Sequence, residues 1–302
     1  MRTGVTLSRT TTAALGDAGL DPVAVAELLQ ATLAEDLGDR SDLTTLATVP
    51  ADATLHVGWV TREAGTVAGM PVLAALVELA VGAEAALVCC VADGARVHPA
   101  DTLAVLEAPA HAVLALERTS LNLLGHLCGV ATGTRLWVDA VAGTRAVIRD
   151  TRKTMPLLRA LEKYAVRCGG GHNHRAGLYD AVLIKDNHVA VAGGVGAALD
   201  AVYAHHPRGT LTVQVEVDDL DQLDEALGHG AEHVLLDNFS VAALGEAVAR
   251  VRRTRPEVVL EASGGLTLEV AAEVAATGVD SLAVGALTHS TRNLDIGLDV
   301  LG

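Results

Sequence analysis

Residues 149–185 read RDTRKTMPLLRALEKYAVRCGGGHNHRAGLYDAVLIK, and this stretch is the most informative part of the chain. The protein as a whole is acidic, with a formal net charge of -15, yet residues 145–185 hold nine Lys or Arg against three acids. The chain's only lysines, Lys153, Lys163 and Lys185, all lie here. Lys is a compact point charge and Arg a planar fork, so this placement indicates a chemical use for ammonium groups. A solvated basic helix face is the alternative.

Apolar segments typical of strands frame this stretch and recur after it. They are residues 146–150, 181–186, 211–217, 233–238, 257–265 and 281–287. Helix-like segments lie between them, at residues 156–166, 194–205, 219–229, 241–253 and 267–277. This alternation predicts parallel βα units. Six strands are fewer than the eight of a full barrel, so we predict either an incomplete barrel or one with an irregular strand.

Polar or small residues end every one of these predicted strands. They are Arg149–Lys153, Lys185–Asn187, Glu216, Asp237, Ser263–Gly265 and Gly285–Ala286. In βα-barrels the active site lies at the carboxyl ends of the strands. A single polar strand end is more often a helix cap, but six together predict a site.

The chemistry of these strand ends differs along the chain. Small residues after the last two strands predict a phosphate site, because backbone N–H groups approach an anion closely there and a helix N-terminus adds its dipole. The early strands supply Arg and Lys, which match carboxylates or pyrophosphate. The acids Glu216 and Asp237 suit Mg²⁺, hydroxyl groups or a cation. A substrate with several anionic groups and a sugar-like centre fits this layout.

The part of the chain before residue 131 has a different pattern. Asp21 followed by Pro22 predicts a helix start, and residues 54–107 read as short strands with one helix at 71–80. Helices are expected at 113–127 and 134–141, with Gly143 after them. We therefore predict an α+β domain over residues 21–130, joined by residues 290–302, and a barrel domain over 131–289. The Thr-rich residues 1–20 are predicted to be a flexible arm.

The composition argues against several classes of function. Aromatic residues make up 2% of an acidic chain, which argues against nucleic-acid binding because few side chains could stack on bases. There is no run of about 18 apolar residues to span a membrane, and the first 20 residues lack an apolar signal core. Four cysteines without metal-binding spacing indicate reduced thiols in a cytoplasmic protein. Cys89 and Cys90 lie in an apolar run that predicts a buried strand.

Several long motifs in this sequence have a recognisable order. They are EDLG (35–38), DLTT (42–45), residues 117–134, DTRKT (150–154), residues 161–188, VEV (215–217), LLDN (235–238), EASGG (261–265) and AVGALTHS (283–290). Together they closely resemble the quinolinate phosphoribosyltransferase family, over about residues 21–300. Met155 and Leu157 stand where this family usually has Thr and Gly.

The resemblance implies a fold and a reaction. The fold is α/β, with an N-terminal α+β sandwich domain and a C-terminal incomplete (β/α) barrel of the type II phosphoribosyltransferase kind. The reaction joins quinolinate to phosphoribosyl pyrophosphate (PRPP) and gives nicotinate mononucleotide, pyrophosphate and CO₂, in de novo NAD biosynthesis. Mg²⁺ accompanies PRPP, and no organic cofactor is needed. An obligate homodimer is implied, with Arg118 reaching the neighbouring subunit's site and further assembly left open.

The resemblance also assigns roles to residues of this chain. Quinolinate is expected against Arg118, Thr151, Arg152, His174, Arg175 and Lys185. PRPP is expected against Lys153, Glu216, Asp237, Ser263, Gly264, Gly265, Val284, Gly285, Ala286 and His289. The catalytic groups are expected to be Lys153, Lys185, Glu216 and Asp237, and the last two are the candidate metal ligands, directly or through water.

Three other functions are weighed against this one. Lys185 at a strand end is compatible with a Schiff-base aldolase, but the neighbouring Arg152, Lys153 and Arg175 exceed what a carbonyl substrate needs. A related enzyme acting on another aromatic acid and a non-catalytic anion sensor are the other two. On the predicted helix, Arg159, Lys163 and Arg167 are spaced four apart, which predicts a solvated or subunit-contacting face.

Overall fold

A computed structural model describes residues 7–38, 41–82 and 85–301 of the chain. The chain divides into two compact units. The first comprises Met1–Arg135, Met155–Gly170 and Ser290–Gly302, and the second comprises Leu136–Thr154 and Gly171–His289. Helices and strands are numbered below in chain order across both units.

The first unit combines helices with an antiparallel sheet. Its helices are α1 (Arg9–Asp17), α2 (Pro22–Leu37), α3 (Leu43–Thr48), α4 (Met70–Val81), α5 (Ala110–Ala140, which continues into the second unit) and α6 (Arg159–Cys168). Its strands are β1 (Thr54–Thr61), β2 (Gly65–Thr66), β3 (Ala86–Cys89), β4 (Arg96–Val97), β5 (Thr102–Pro109) and β12 (Ile296–Val300). The sheet has the order β12-β1-β5-β3, and β2 pairs with β4. Strand β12 comes from the C-terminal segment, which therefore completes this unit.

The core of this unit is built from aliphatic side chains around one Trp. Trp59 is fully buried in a cluster that includes Leu73, Leu106 and Leu116. Its indole N–H donates to Ser120 Oγ at 2.9 Å. A buried indole needs such an acceptor, so Ser120 lets β1 place its largest side chain against α5.

Helix α5 is continuous, whereas the sequence predicted two helices with a break near residue 130. Gly lowers helix propensity, and Gly125, Gly129 and Gly133 lie in this region. A Cβ atom at Gly129 would lie 2.2 Å from the carbonyl oxygen of Arg292. These glycines therefore serve close packing of the C-terminal segment against an unbroken helix.

The second unit contains the predicted parallel βα pattern. Its strands are β6 (Val147–Arg149), β7 (Val182–Ile184), β8 (Val213–Val217), β9 (His233–Asp237), β10 (Val259–Ser263) and β11 (Ser281–Ala283). Its helices are α7 (Asp186–Ala192), α8 (Val195–His205), α9 (Leu220–Gly228), α10 (Val241–Thr254), a 3-10 turn (Leu268–Val270), α11 (Ala271–Ala276) and α12 (Ala286–His289). All six predicted strands are present, and α7 is an additional short helix.

These six strands form one parallel sheet in the order β6-β11-β10-β9-β8-β7. Within the described residues no strand links the two edges, β6 and β7, so the barrel is incomplete, as expected. The predicted fold class is confirmed: an α/β protein with an α+β unit and an incomplete barrel. No helix in the described part of the chain is both long enough and apolar enough to cross a membrane.

Three local expectations were wrong. The stretch expected as a flexible arm contains α1, whose Leu15 is fully buried; residues 1–6 of that arm lie outside the described residues. Cys89 and Cys90 are exposed, because β3 is the edge strand of its sheet. Lys163 is buried on α6, so it does not share a solvated face with Arg159 and Arg167.

Candidate active site

A pocket of about 660 Å³ opens at the carboxyl ends of the parallel strands in the second unit. Fifteen residues proposed from the sequence line it: Thr151, Arg152, Lys153, His174, Arg175, Lys185, Glu216, Asp237, Ser263, Gly264, Gly265, Val284, Gly285, Ala286 and His289. The apolar side chains of Leu183, Leu235 and Leu266 complete the wall. The structure thus brings together residues that are up to 138 positions apart in the sequence.

Arg118 is the one proposed site residue that does not line this pocket. It lies on α5 in the first unit, in a separate cleft of about 620 Å³. Acidic residues from the end of α2 and the start of α3 line the same cleft, among them Glu35, Asp36 and Asp42. Within one chain, Arg118 therefore belongs to a different surface.

The parallel register explains why acids and small residues converge in the pocket. Glu216 of β8 is opposite Leu235 of β9, and Ser263 of β10 is opposite Asp237. Side chains two apart on a strand share a face, so Leu235 and Asp237 point the same way. On this face of β9, Leu235 therefore lies below Asp237, which is at the carboxyl edge of the sheet.

Lys185 and Glu216 form an ion pair at this edge, with 2.6 Å between Nζ and Oε2. The Glu216 side chain is nearly buried, whereas the Lys185 side chain is about half exposed, at 46%. Strand β7 ends just before Lys185, and helix α7 starts just after it. The ammonium group is thus held over the pocket by a carboxylate from the adjacent strand.

Two guanidinium groups in the pocket retain a buried, unsatisfied donor. The Nε atoms of Arg152 and Arg175 are buried and have no hydrogen-bond partner within the described residues. Burial, followed by repulsion from Arg152, lowers the pKa of Arg175. Buried polar groups are almost always hydrogen-bonded, so both donors are available to an anion bound in the pocket.

The small residues after β10 have a packing reason as well as a conformational one. Gly264 has a φ of +82°, and a Cβ there would lie 2.3 Å from Asn238 Oδ1. The main-chain N–H of Asn238 donates to the carbonyl oxygen of Ser263 at 2.9 Å. At Gly285, a Cβ would lie 2.9 Å from the Lys153 side chain. Glycine at both places therefore leaves room for the neighbouring Asn238 and Lys153 side chains.

The chain matches two family profiles over most of its length. The C-terminal domain profile, described as quinolinate phosphoribosyl transferase, matches residues 130–299, and the corresponding N-terminal domain profile matches residues 42–128. The chain belongs to the quinolinate phosphoribosyltransferase family. The resemblance seen in the sequence motifs is thereby confirmed.

Individual members of this family are similar along nearly their whole length. The nicotinate-nucleotide pyrophosphorylase [carboxylating] of Mycobacterium leprae is 52% identical over 278 residues, which covers 92% of this chain and 97% of that protein. A quinolinate phosphoribosyltransferase [decarboxylating] of Nicotiana tabacum is 37% identical and covers 90% of this chain and 81% of that one. The crystal structure of the Ehrlichia chaffeensis nicotinate-nucleotide pyrophosphorylase superposes with a TM-score of 0.85 at 36% identity, covering 91% of this chain and 98% of that one.

The donor set in this quinolinate phosphoribosyltransferase family member suits a loosely held Mg²⁺. No group of three or more His, Cys, Asp or Glu side chains is placed to hold a metal within the described residues. Glu216 and Asp237 are the two carboxylates in the pocket. Mg²⁺ usually takes one or two carboxylates, several waters and substrate phosphates, so these two residues fit that role.

A buried polar layer below the pocket was not assigned a role from the sequence. Glu261 is fully buried, and its carboxylate accepts from Arg149 Nη1 at 2.9 Å, Ser281 Oγ at 2.8 Å and Gln214 Nε2 at 3.1 Å. Burial alone would raise the pKa of Glu261, but the hydrogen bond from His174 and the charge of Arg149 outweigh it and lower the pKa to about 2.

The two-residue period of a β-strand is the feature of the sequence that indicates this layer. Glu261 lies two residues before Ser263, and Gln214 lies two residues before Glu216. Residues two apart on a strand share a face, so this spacing places both on the same face as the strand-end groups.

Proposed function

We propose that this chain transfers the phosphoribosyl group of PRPP to quinolinate with loss of CO₂, giving nicotinate mononucleotide and pyrophosphate. Relatives with names for this activity match almost the whole chain. The observation that carries the proposal is the pair of buried, unpartnered guanidinium donors of Arg152 and Arg175 in one pocket. Two adjacent carboxylates on one aromatic ring would satisfy such a pair.

Quinolinate would bind on the basic side of the pocket. Arg152 and Arg175 would each take one carboxylate through their planar forks, and Thr151 and Lys185 would border the ring. An enzyme for a monocarboxylic aromatic acid would need fewer cations. The layout therefore favours a dicarboxylate over a simpler aromatic acid.

PRPP would bind on the side of the last two strands. Ser263, Gly264 and Gly265 after β10 and Val284, Gly285 and Ala286 after β11 would offer backbone N–H groups to phosphate oxygens. Lys153 and His289 border the same part of the pocket.

The chemistry follows from the charges at the centre of the pocket. Departure of pyrophosphate leaves an oxocarbenium-like ribose, which Glu216 and Asp237 would stabilise electrostatically. Mg²⁺, held by the same two carboxylates, would neutralise the charge of pyrophosphate. Attack by the pyridine nitrogen then makes the ring cationic, which favours loss of the adjacent carboxylate as CO₂. The electron pair left on that ring carbon then takes a proton from water, which gives nicotinate mononucleotide. Lys153 and Lys185 would hold the anionic groups in place during these steps.

Assembly and location belong to the same proposal. Arg118 would enter the pocket of a neighbouring subunit and complete its quinolinate site, which makes the enzyme an obligate homodimer. The enzyme would act in the cytoplasm without an organic cofactor. The domain limits of residues 21–130 with 290–302, and of 131–289, are part of this proposal.

A substrate comparison tests the proposed reaction. The purified protein with PRPP and Mg²⁺ should convert quinolinate to nicotinate mononucleotide, whereas nicotinate, which lacks the second carboxylate, should be turned over at least about 100-fold less efficiently. Preference for nicotinate would contradict the proposal. Binding of quinolinate without any turnover would indicate an anion sensor instead.

A further inference from the structure

His174 has a protein partner at each ring nitrogen. Its Nε2 lies 2.9 Å from Gln214 Oε1 and 3.3 Å from Glu261 Oε1. The Gln214 amide nitrogen donates to Glu261 Oε1 at 3.1 Å, which fixes the amide orientation and leaves its oxygen for the histidine. Both neighbours of Nε2 are therefore acceptors, so Nε2 carries the hydrogen.

The other ring nitrogen, Nδ1, accepts a hydrogen bond instead of donating one. The main-chain N–H of Arg175 donates to His174 Nδ1 at 2.8 Å. A second hydrogen on Nδ1 would face this N–H, so the arrangement selects the neutral imidazole with its hydrogen on Nε2. Both ring nitrogens are then engaged within the protein.

The backbone around His174 is fixed as well. Asp150 is fully buried, and its carboxylate accepts from the His174 main-chain N–H at 2.7 Å and from Asn173 Nδ2 at 2.6 Å. Strand β6 ends immediately before Asp150. Residues of the sheet thus hold His174 at two points. Asp150 binds its main-chain N–H, and Gln214 and Glu261 bind Nε2 of its ring.

Glu261 has a counter-charge besides the histidine. Its Oε2 accepts from Arg149 at 2.9 Å and from Ser281 at 2.8 Å, and only its Oε1 faces Gln214 and His174. Arg149 provides the counter-charge, because it forms the ion pair with this carboxylate. A neutral imidazole is therefore compatible with an ionised Glu261.

We infer that Gln214 and Glu261 are positioning residues that hold His174 as the neutral Nε2–H imidazole, so that the ring meets the substrate through its carbon atoms. His174 lines the pocket but has no nitrogen left for a carboxylate. His174 packs against the aromatic ring of the substrate, and Arg152 and Arg175 bind the carboxylates of the substrate. This refines the expectation that quinolinate lies against His174, and it rests on the proposed function for the identity of the substrate.

Nitrogen NMR of the histidine-labelled protein tests the tautomer directly. The His174 signals are assigned by their loss in His174→Gln, and wild type should show a protonated Nε2 and an unprotonated Nδ1 at neutral pH. Addition of quinolinate should leave both nitrogens in that state. A doubly protonated ring at neutral pH would overturn the inference.

Kinetics of a matched pair of variants test the positioning role. Gln214→Met keeps the length of the side chain but removes the nearer partner of Nε2, and it should raise KM for quinolinate on the order of tenfold or more with KM for PRPP unchanged. Ser281→Ala removes a bond to the other oxygen of Glu261 and should leave both KM values within about threefold. Unchanged KM for quinolinate in a folded Gln214→Met protein would overturn the positioning role.

The outcomes separate this inference from the proposed function. Wild type that makes no nicotinate mononucleotide contradicts the proposed function, while the NMR result still stands by itself. If Gln214→Met fails to fold, the tautomer in the wild type decides the inference.

Discussion

Leu157 is in an unusual backbone conformation for its side chain. Its φ is +67°, in the left-handed region, and the residue is 88% exposed. A left-handed L-residue costs roughly 1–2 kcal/mol, while Gly loses about 0.5–1 kcal/mol of backbone entropy on folding. We therefore predict that Leu157→Gly raises the free energy of unfolding by about 0.5–1 kcal/mol, measured by urea denaturation.

A second exposed leucine provides the control for this substitution. Leu178 is 72% exposed, and its φ is not positive. Leu178→Gly should lower the free energy of unfolding by about 0.5–1 kcal/mol. Equal effects of the two substitutions would contradict an account based on backbone strain.

Glu261 predicts a pH dependence of stability. Its pKa is lowered from 4.5 to about 2 in the folded state, so the folded state favours the ionised form. This contribution is complete above about pH 4.5 and is lost as the pH falls towards 2. Between pH 6 and pH 3, wild type should lose roughly 2 kcal/mol more of its unfolding free energy than Glu261→Gln. Urea denaturation at both pH values measures this, and parallel losses would contradict it.

At the scale of elements, two glycines in helices have opposite surroundings. A Cβ at Gly129 in α5 would lie 2.2 Å from the backbone oxygen of Arg292, whereas one at Gly245 in α10 would have nothing within 4 Å. We predict that Gly129→Ala lowers the free energy of unfolding by about 1–3 kcal/mol. Gly245→Ala should raise it by up to about 1 kcal/mol.

Denaturation of these two variants under identical conditions measures both effects. Stabilisation by Gly129→Ala would mean that helix propensity alone governs α5. It would also mean that residues 290–295 do not pack closely on this helix.

The strand pattern of the second unit could be predicted because it is local. Apolar runs bounded by polar strand ends define β6 to β11, and parallel topology then places their carboxyl ends at one edge. Lys185, Glu216, Asp237 and Ser263 therefore converge in the pocket as the sequence suggests. The same strand period extends to Gln214 and Glu261.

Features that depend on distant partners could not be predicted. The continuity of α5 depends on a segment about 160 residues later in the chain. Helix α1 is held by Ser8 and Thr11, whose hydroxyl groups donate to Glu78 at 2.9 and 2.5 Å. The exposure of Cys89 follows from an edge position that only the sheet order reveals. None of these contacts can be inferred from the local sequence.

At the scale of the whole molecule, the proposed role of Arg118 leads to a testable prediction about subunit assembly. It lies outside the pocket of its own chain's second unit, so the proposal requires it to act in a partner subunit. Arg118→Ala and Lys185→Ala should each be inactive alone. Hybrid dimers of the two would contain one intact site, so a random mixture should recover about a quarter of wild-type activity.

Co-expression of differently tagged subunits gives the required mixture, and the hybrid is isolated by sequential affinity steps. Each purified homodimer of a single variant is the control. An inactive hybrid, or an active Arg118→Ala homodimer, would contradict the shared site.

The central claim is that one pocket couples ribosyl transfer to loss of a carboxylate. The most direct measurement follows CO₂ released from quinolinate labelled in its 2-carboxylate, together with nicotinate mononucleotide, in wild type, Lys185→Met and Arg145→Ala. Arg145 pairs with Asp280 outside the pocket and controls for loss of a cation. We predict equimolar CO₂ and nicotinate mononucleotide, strictly dependent on PRPP, with a loss on the order of 1000-fold in Lys185→Met and near-normal rates in Arg145→Ala. CO₂ release without PRPP, or full activity in Lys185→Met, would contradict the account.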